Sequence, residues 1–287
     1  MTIRCGFIGL GVMGNALAKN LAPAGLPTIV YDIDEAATQA LVSTGARAAA
    51  SVREVAENAD VIGVCVPADA HVKDVLCGDG GVFAHAAPGS VVAIHSTVLP
   101  ETILEMASGG KAREISILEV PVAGGAVRAA AGDAFYMVSG EEPDVEKSRP
   151  YLEAAAGTIV RTGDLGNAAK LKLSLNVLTN LSFAASLEGL RLARALGLPQ
   201  ELFEEGGQAN TMLNALHLQY LSVHKLPDET RRSDDLQDLL RSRMEIAQKD
   251  LGHALTMARE HGVSLPVTGL VTQILARVYN VYDDDLR

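Results

Sequence analysis

Residues Ile3 to Gly14 read IRCGFIGLGVMG, an apolar run that closes on Gly9, Leu10, Gly11, Val12, Met13 and Gly14 before Asn15 to Leu21 continue with helical spacing. Glycines at that spacing, between a strand and a helix, can cradle a pyrophosphate. Gly9 permits the tight turn, Gly11 lets backbone N–H groups approach the phosphates, and Gly14 lets the helix pack closely on the strand. The positive end of the helix then faces the anion. A bare glycine turn could carry the same letters. Here the turn follows a strand pattern, precedes a helix pattern, and is followed eighteen residues later by Asp32, so dinucleotide binding is the working premise.

Asp32 ends the run Thr28 to Tyr31, where a carboxylate can accept hydrogen bonds from adenosine ribose hydroxyls. A 2′-phosphate there would lie within about 4 Å of it, a repulsion of several kcal/mol at an effective dielectric near ~20, reduced by solvent exposure. Ile33 offers no compensating cation. The pattern predicts NAD in preference to NADP by at least about tenfold. Read without a ligand, Asp32 is a turn residue.

A second pair with chemical potential is Lys172 and Asn176, four apart on a long helical stretch and therefore neighbours on one face. Lys170 projects about 160° from Lys172 and about 120° from Asn176, so only Lys172 can work beside the amide. On spacing alone, a solvated surface lysine is the commoner case.

The elements that must position these residues follow from apolar patterning. From Met1 to about Arg161 the chain alternates buried-looking strands with helices: Thr28 to Tyr31, Arg47 to Ala50, Ala59 to Val66, Ser90 to Ile94, Ile115 to Val120, Phe135 to Val138 and Thr158 to Val160, with a capping box at Ser51 and Glu54. Strands that are apolar throughout imply an α/β fold with a mainly parallel sheet covered on both faces. From Leu165 to about Leu196 there is no proline and no alternation, which predicts one long interdomain helix of about 45 Å. Helices are then expected over Glu201 to Gly206, Met212 to Leu221, Asp235 to His261 and Leu265 to Tyr279, with a solvated loop from Pro227 through Asp228 to Asp235. The division is thus residues 1–162, a dinucleotide-binding domain, and 163–287, an all-α domain. A helix this long and apolar cannot bury itself in so small a domain, which points to a homodimer or homotetramer.

Bulk properties exclude several classes. A formal charge of −11 and the absence of dense basic runs argue against nucleic acid. Cys5, Cys65 and Cys77 have neither metal nor redox spacing, and the seven histidines form no HExxH pattern, so no metal site is expected. No apolar segment reaches about 18 residues, and the chain enters its first strand at once, which argues against membrane insertion or export and for the cytoplasm.

Five segments, in order, resemble the β-hydroxyacid dehydrogenase family, to which 3-hydroxyisobutyrate dehydrogenase belongs. They are GFIGLGVMG; Val64 to Pro67; Ser96 and Thr97; Pro121 to Gly125 with Gly132 downstream; and Gly163 to Asn176. A sixth, Lys249, Asp250 and Leu251 followed by Gly262 to Pro266, is similar to the family's C-terminal signature. The resemblance implies a Rossmann domain, a helical C-terminal domain and an active site between them. It implies that Lys172 is the acid/base and that Asn176 positions a small carboxylate substrate. Oxidising an alcohol needs a group to take the hydroxyl proton as hydride leaves carbon. A lysine can do this if its pKa falls from about 10.4, and its ammonium can stabilise an alkoxide.

The resemblance further implies that Ala123, Gly124 and Gly125 contact substrate, that Val66, Pro67 and Thr97 contact the ribose and nicotinamide side, and that Lys249 contacts cofactor. Two departures stand out. The family commonly has serine where this chain has Ala123 and aspartate where it has Glu119. The missing hydroxyl points to a different or bulkier substrate. Arg128 could clamp a carboxylate, though a solvated helix charge is the plainer reading. His95, where the family usually shows Asp, invites a general-base role but is expected to pack or make a structural hydrogen bond, and Glu188 to serve packing or a helix contact rather than catalysis. An imine reductase of the same architecture is the nearest alternative, but Lys172 speaks against it. A non-catalytic dinucleotide sensor would have no need for Lys172 with Asn176.

Overall fold

The strand β1 (Cys5–Ile8) buries all four residues, as a strand with helices on both faces must. A computed structural model describes residues 2–282. After β1 come α1 (Val12–Ala18), β2 (Thr28–Tyr31), α2 (Glu35–Val42), β3 (Arg47–Ala48), α3 (Val52–Asn58), β4 (Val61–Val64), α4 (Asp69–Cys77), α5 (Val82–His85) and β5 (Val91–Ile94). The sheet is completed through α6 (Pro100–Lys111), β6 (Ser116–Glu119), β7 (Val122–Ala123), α7 (Gly125–Ala130), β8 (Ala134–Ser139), α8 (Glu142–Glu153) and β9 (Ala156–Gly163). Helices alone follow: α9 (Asn167–Ala195), α10 (Gln200–Ala209), α11 (Ala215–Leu221) with a 3-10 turn at Ser222–Lys225, α12 (Asp228–Arg231), α13 (Asp234–Glu260), α14 (Pro266–Gln273) and α15 (Leu275–Val278).

Strand order is β3-β2-β1-β4-β5-β6-β8-β7, with β9 beside β8. The first six strands are parallel, and only the pairings of β8 with β6 and β7 are antiparallel. The order reverses between β1 and β4, the place where open α/β sheets bind ligands at the carboxyl ends of their strands. Side chains alternate between two cores. Phe7, Val61, Val91 and Ala93 join one with α1 and α8, whereas Ile8, Ile62, Val64, Val92 and Ile94 join the other with α3, α4 and α6.

Two compact units result, Met1–Lys172 and Leu173–Arg287. The first holds the whole sheet and the start of α9. The second packs around Phe183, Leu251, Val271 and Leu275, with Phe183 stacked on Tyr220 at 4.4 Å between ring centroids. The long helix runs 29 residues, about 43 Å.

Several local details differ from the sequence expectation. β7 is an unanticipated antiparallel pair of residues between Pro121 and Gly124, too short to leave a period in the sequence, and it separates α7 from β6. The expected loop from Asp228 contains the single turn α12. The helix expected over Leu265 to Tyr279 breaks at Ile274, whose φ of −118° leaves helical geometry. Helix α11 begins only at Ala215, where Asn214 and His217 form a capping box. At α3, Ser51 accepts from Glu54 N–H as expected, but the Glu54 carboxylate reaches back to Ala50 N–H.

His95 is 2% exposed at the end of β5, stacked on Phe7. Its Nδ1 lies 3.0 Å from the Val120 carbonyl oxygen and its Nε2 2.8 Å from Tyr151 Oη. A carbonyl can only accept, so the neutral ring carries its proton on Nδ1 and takes the Tyr151 hydroxyl hydrogen at Nε2. Burial lowers its pKa to about 4, only partly countered by the Val120 hydrogen bond. A depressed histidine pKa means that this stability is complete above about 6.5 and is lost as pH falls toward 4. Urea unfolding should therefore show a wild-type loss of about 3 kcal/mol across that window that His95→Gln lacks. Equal pH dependence of the two proteins would contradict this role.

Candidate active site

Of the three glycines of the first turn, Gly9 and Gly14 are required by the packing of the backbone around them and Gly11 is not. At Gly9, with φ of +89°, a Cβ would sit 2.4 Å from the Cys65 carbonyl oxygen, so the turn is pressed against the end of β4. At Gly14 a Cβ would fall 1.9 Å from the Gly9 carbonyl oxygen, which fixes how closely α1 packs on its own turn. At Gly11 a Cβ would meet nothing within 4 Å. Fold packing therefore does not demand glycine there, and the open space suits a ligand that approaches the backbone. Leu10 is buried, Met13 half-buried, and Val12 exposed.

Asp32 braces this turn. Its Oδ2 accepts from Leu10 N–H at 2.5 Å and its Oδ1 from Asp34 N–H at 2.8 Å, while its own N–H donates to Thr38 Oγ1. The carboxylate thus holds the end of β2 to the glycine turn, and the neighbouring Ile33 is 95% exposed. The next two loops at this sheet edge are joined by a hydrogen bond from Val66 N–H to Ser96 Oγ at 2.8 Å. Pro67 is exposed and Thr97 half-buried on these loops. Ala123, Gly124 and Gly125 are half-buried at the start of α7, where Gly124 and Gly125 take φ of +98° and +81°. Arg128 pairs with Asp133 at 2.8 Å on the exposed surface, where solvent screens the contact.

Lys172 closes the first unit. It is only 9% exposed, whereas Lys170, two positions earlier, is exposed and reaches Asn167 Oδ1 at 3.4 Å. The start of α9 that carries both is fastened to the sheet by Glu119, which accepts from the N–H groups of Gly166, Ala168 and Ala169. Desolvation raises the Glu119 pKa, and these donors oppose that rise.

In the second unit, Asn176 Nδ2 donates to Asp250 Oδ2 at 2.6 Å, and Lys249 Nζ lies 3.3 Å from Asp250 Oδ1. Asp250 is 3% exposed. Because a carboxylate only accepts, it holds the Asn176 amide with Nδ2, and not Oδ1, toward itself. Behind it, Tyr279 Oη donates to Asn180 Oδ1 and Asn180 Nδ2 to the Asn176 carbonyl. Asp250 and Glu119 were not singled out as site residues from the sequence. A signal existed for each: Asp250 shares the apolar stripe of Ala247, Leu251 and Ala254, and Glu119 follows the apolar Ile117 and Leu118 at the end of its strand. Among the described residues no cluster of three or more metal-ligating side chains occurs, and no helix is long and apolar enough to cross a membrane.

Residues 4–163 match the family model of the NAD-binding domain of 6-phosphogluconate dehydrogenase, and residues 166–286 that of the NAD-binding domain of NADP-dependent 3-hydroxyisobutyrate dehydrogenase. The chain belongs to the β-hydroxyacid dehydrogenase family. It is an NAD(P)-dependent oxidoreductase, and the family acts on the CH–OH group of small hydroxy acids. An uncharacterised oxidoreductase of Mycobacterium tuberculosis is 36% identical over 96% of this chain and 92% of its own. The 2-(hydroxymethyl)glutarate dehydrogenase of Eubacterium barkeri is 32% identical over 95% and 88%. A crystal structure of a 3-hydroxyisobutyrate dehydrogenase from Salmonella typhimurium, 29% identical, matches with a TM-score of 0.82 over 97% of this chain and 94% of that one.

The glycine geometry separates folding from ligand binding. Gly14→Ala should lose several kcal/mol of stability, because its methyl group would overlap backbone. Gly11→Ala should melt within about 2 °C of wild type yet weaken NADH binding at least about tenfold, measured by fluorescence titration. Wild-type NADH affinity in Gly11→Ala would refute the assignment of Gly11 to the phosphates.

Proposed function

We propose that this dehydrogenase interconverts a small 3-hydroxy acid and its semialdehyde, with Lys172 as the general acid/base. One observation carries the reading: of two lysines on the same helix turn, the one withdrawn from water is Lys172, which stands one turn before the amide that Asp250 orients. In oxidation, the unprotonated Lys172 amine takes the hydroxyl proton as the C–H bond breaks, leaving a carbonyl and an ammonium; reduction runs the same transfer backward. The bound nicotinamide supplies the carbon that accepts or returns the hydride. While protonated, Lys172 also steadies negative charge on the substrate oxygen.

Asn176 positions the substrate through its amide oxygen. The backbone of Ala123, Gly124 and Gly125 receives the substrate carboxylate. Gly9, Leu10, Gly11, Val12, Met13 and Gly14 hold the pyrophosphate, Val66, Pro67 and Thr97 the nicotinamide-side ribose and ring, and Lys249 a further part of the cofactor. The substrates named for the relatives, 3-hydroxyisobutyrate and 2-(hydroxymethyl)glutarate, both carry a hydroxymethyl group on the carbon next to a carboxylate. That shared unit defines the substrate class, and Ala123, with no hydroxyl to fill its corner, suits a member with a bulkier substituent.

Asp32 and the exposed Ile33 favour NAD over NADP, since neither offers a cation to a 2′-phosphate. Leu178 and Leu192, each more than 60% exposed on α9, supply an apolar face for a homodimer or homotetramer. Three free cysteines fit the cytoplasm.

A panel of hydroxy acids and aldehydes followed by NADH absorbance tests this reading. Lys172→Ala should lower kcat by about a hundredfold to ten-thousandfold with NADH affinity within about twofold. Catalytic efficiency with NAD should exceed that with NADP at least about tenfold. Undiminished turnover in Lys172→Ala would move the proton transfer elsewhere, and equal use of both cofactors would remove Asp32 as the discriminator.

A further inference from the structure

Glu119 and Ser139 end β6 and β8 and face each other in the antiparallel pairing of those strands. Both are buried, at 1% and 0% exposure. Glu119 Oε2 accepts from Gly166 N–H at 2.9 Å and Ala168 N–H at 3.2 Å, and Oε1 accepts from Ala169 N–H at 2.5 Å. Ser139 Oγ also accepts from Ala168 N–H, at 3.0 Å, and shares a hydrogen bond with Thr162 Oγ1 at 2.7 Å. The N–H groups that a helix start leaves without intrahelical partners are here satisfied by two strand side chains. The positive end of a 29-residue helix faces the carboxylate and offsets part of the cost of burying it.

Lys172 lies three residues beyond Ala169, about 4.5 Å along the axis and less than one turn away. A shift or rotation of the helix start therefore reaches Lys172 almost undiminished.

We propose that the Glu119–Ser139 pair is a positioning device for the proton-transfer lysine: it sets the axial and rotational register of α9 on the sheet and so fixes where the Lys172 ammonium stands. The proposal rests on Lys172 being the acid/base. Glu119 touches no reacting atom and acts through Lys172. Its carboxylate is suited to the task because every group converging on it, the three N–H groups and the Ser139 hydroxyl, can donate. An amide of the same size would turn an NH2 toward one of them and force the helix start to move.

Glu119→Gln, Glu119→Asp and Ser139→Ala, each alone and combined with Lys172→Ala, provide the test, with single-turnover hydride transfer, NADH affinity and thermal unfolding measured on each. Glu119→Gln should slow hydride transfer about tenfold to a hundredfold, as expected for a catalytic group displaced by about 1 Å, with NADH affinity within about twofold. Glu119→Asp, which keeps both oxygens on a shorter reach, should recover part of the rate, and Ser139→Ala should lose less than Glu119→Gln. In the Lys172→Ala background each change should cost no more than about twofold, because the residue through which it acts is gone.

Rate losses that multiply in the double variants, or a folded Glu119→Gln with a wild-type rate, would overturn the proposal. If Glu119→Gln does not fold, the same comparison on Glu119→Asp and Ser139→Ala decides it. A Lys172→Ala single variant with wild-type turnover would instead defeat the acid/base assignment, a separate failure.

Discussion

Backbone N–H groups at the start of a helix need acceptors, and where that start is buried against a sheet, water does not supply them. In this chain the need is met by Glu119 and Ser139, the last residues of two adjacent strands. That one interaction joins the nucleotide-type sheet to the helix that carries Lys172. A parallel sheet already places its loops along one edge, and capping α9 from two strand ends brings the first turn of the helix to the ends of β6 and β8.

The same edge shows how fold and site use residues for opposite reasons. Gly9 and Gly14 are glycine because backbone leaves no room for a side chain, whereas Gly11 has room to spare. Asp32 has two tasks: one oxygen braces Leu10 N–H and the other holds Asp34 N–H, so the carboxylate that ends β2 also shapes the turn beside it. Asp250 does the equivalent for Asn176, fixing which end of the amide faces the carboxylate. In each case a buried or half-buried carboxylate, able only to accept, removes an ambiguity in the orientation of a neighbouring group.

Much of this was legible in the amino-acid order. The two-faced strands announced themselves as uninterrupted apolar runs, and the spacing of Gly9, Gly11 and Gly14 named its own turn. Helical periodicity set Lys172 and Lys170 on different faces of the helix, and the two differ in burial, Lys172 being buried and Lys170 exposed. What escaped was either too short or too distant in sequence. Two residues of β7 and four of α12 carry no period. The contact of Glu119 with Ala169 spans 50 positions and that of Asn176 with Asp250 spans 74, separations that local patterning cannot register. His95 lay between, since its place beside Ser96 suggested a buried role, but its partners Val120 and Tyr151 emerge only once β5, β6 and α8 are assembled.

The proposed proton carrier is an amine at position 172, and chemical rescue addresses that directly. Small primary alkylamines added to Lys172→Gly should restore NADH-linked turnover in proportion to their concentration, with rates that follow amine basicity, while leaving the wild-type enzyme unaffected. A Lys172→Gly enzyme that turns over at the wild-type rate without added amine would contradict it.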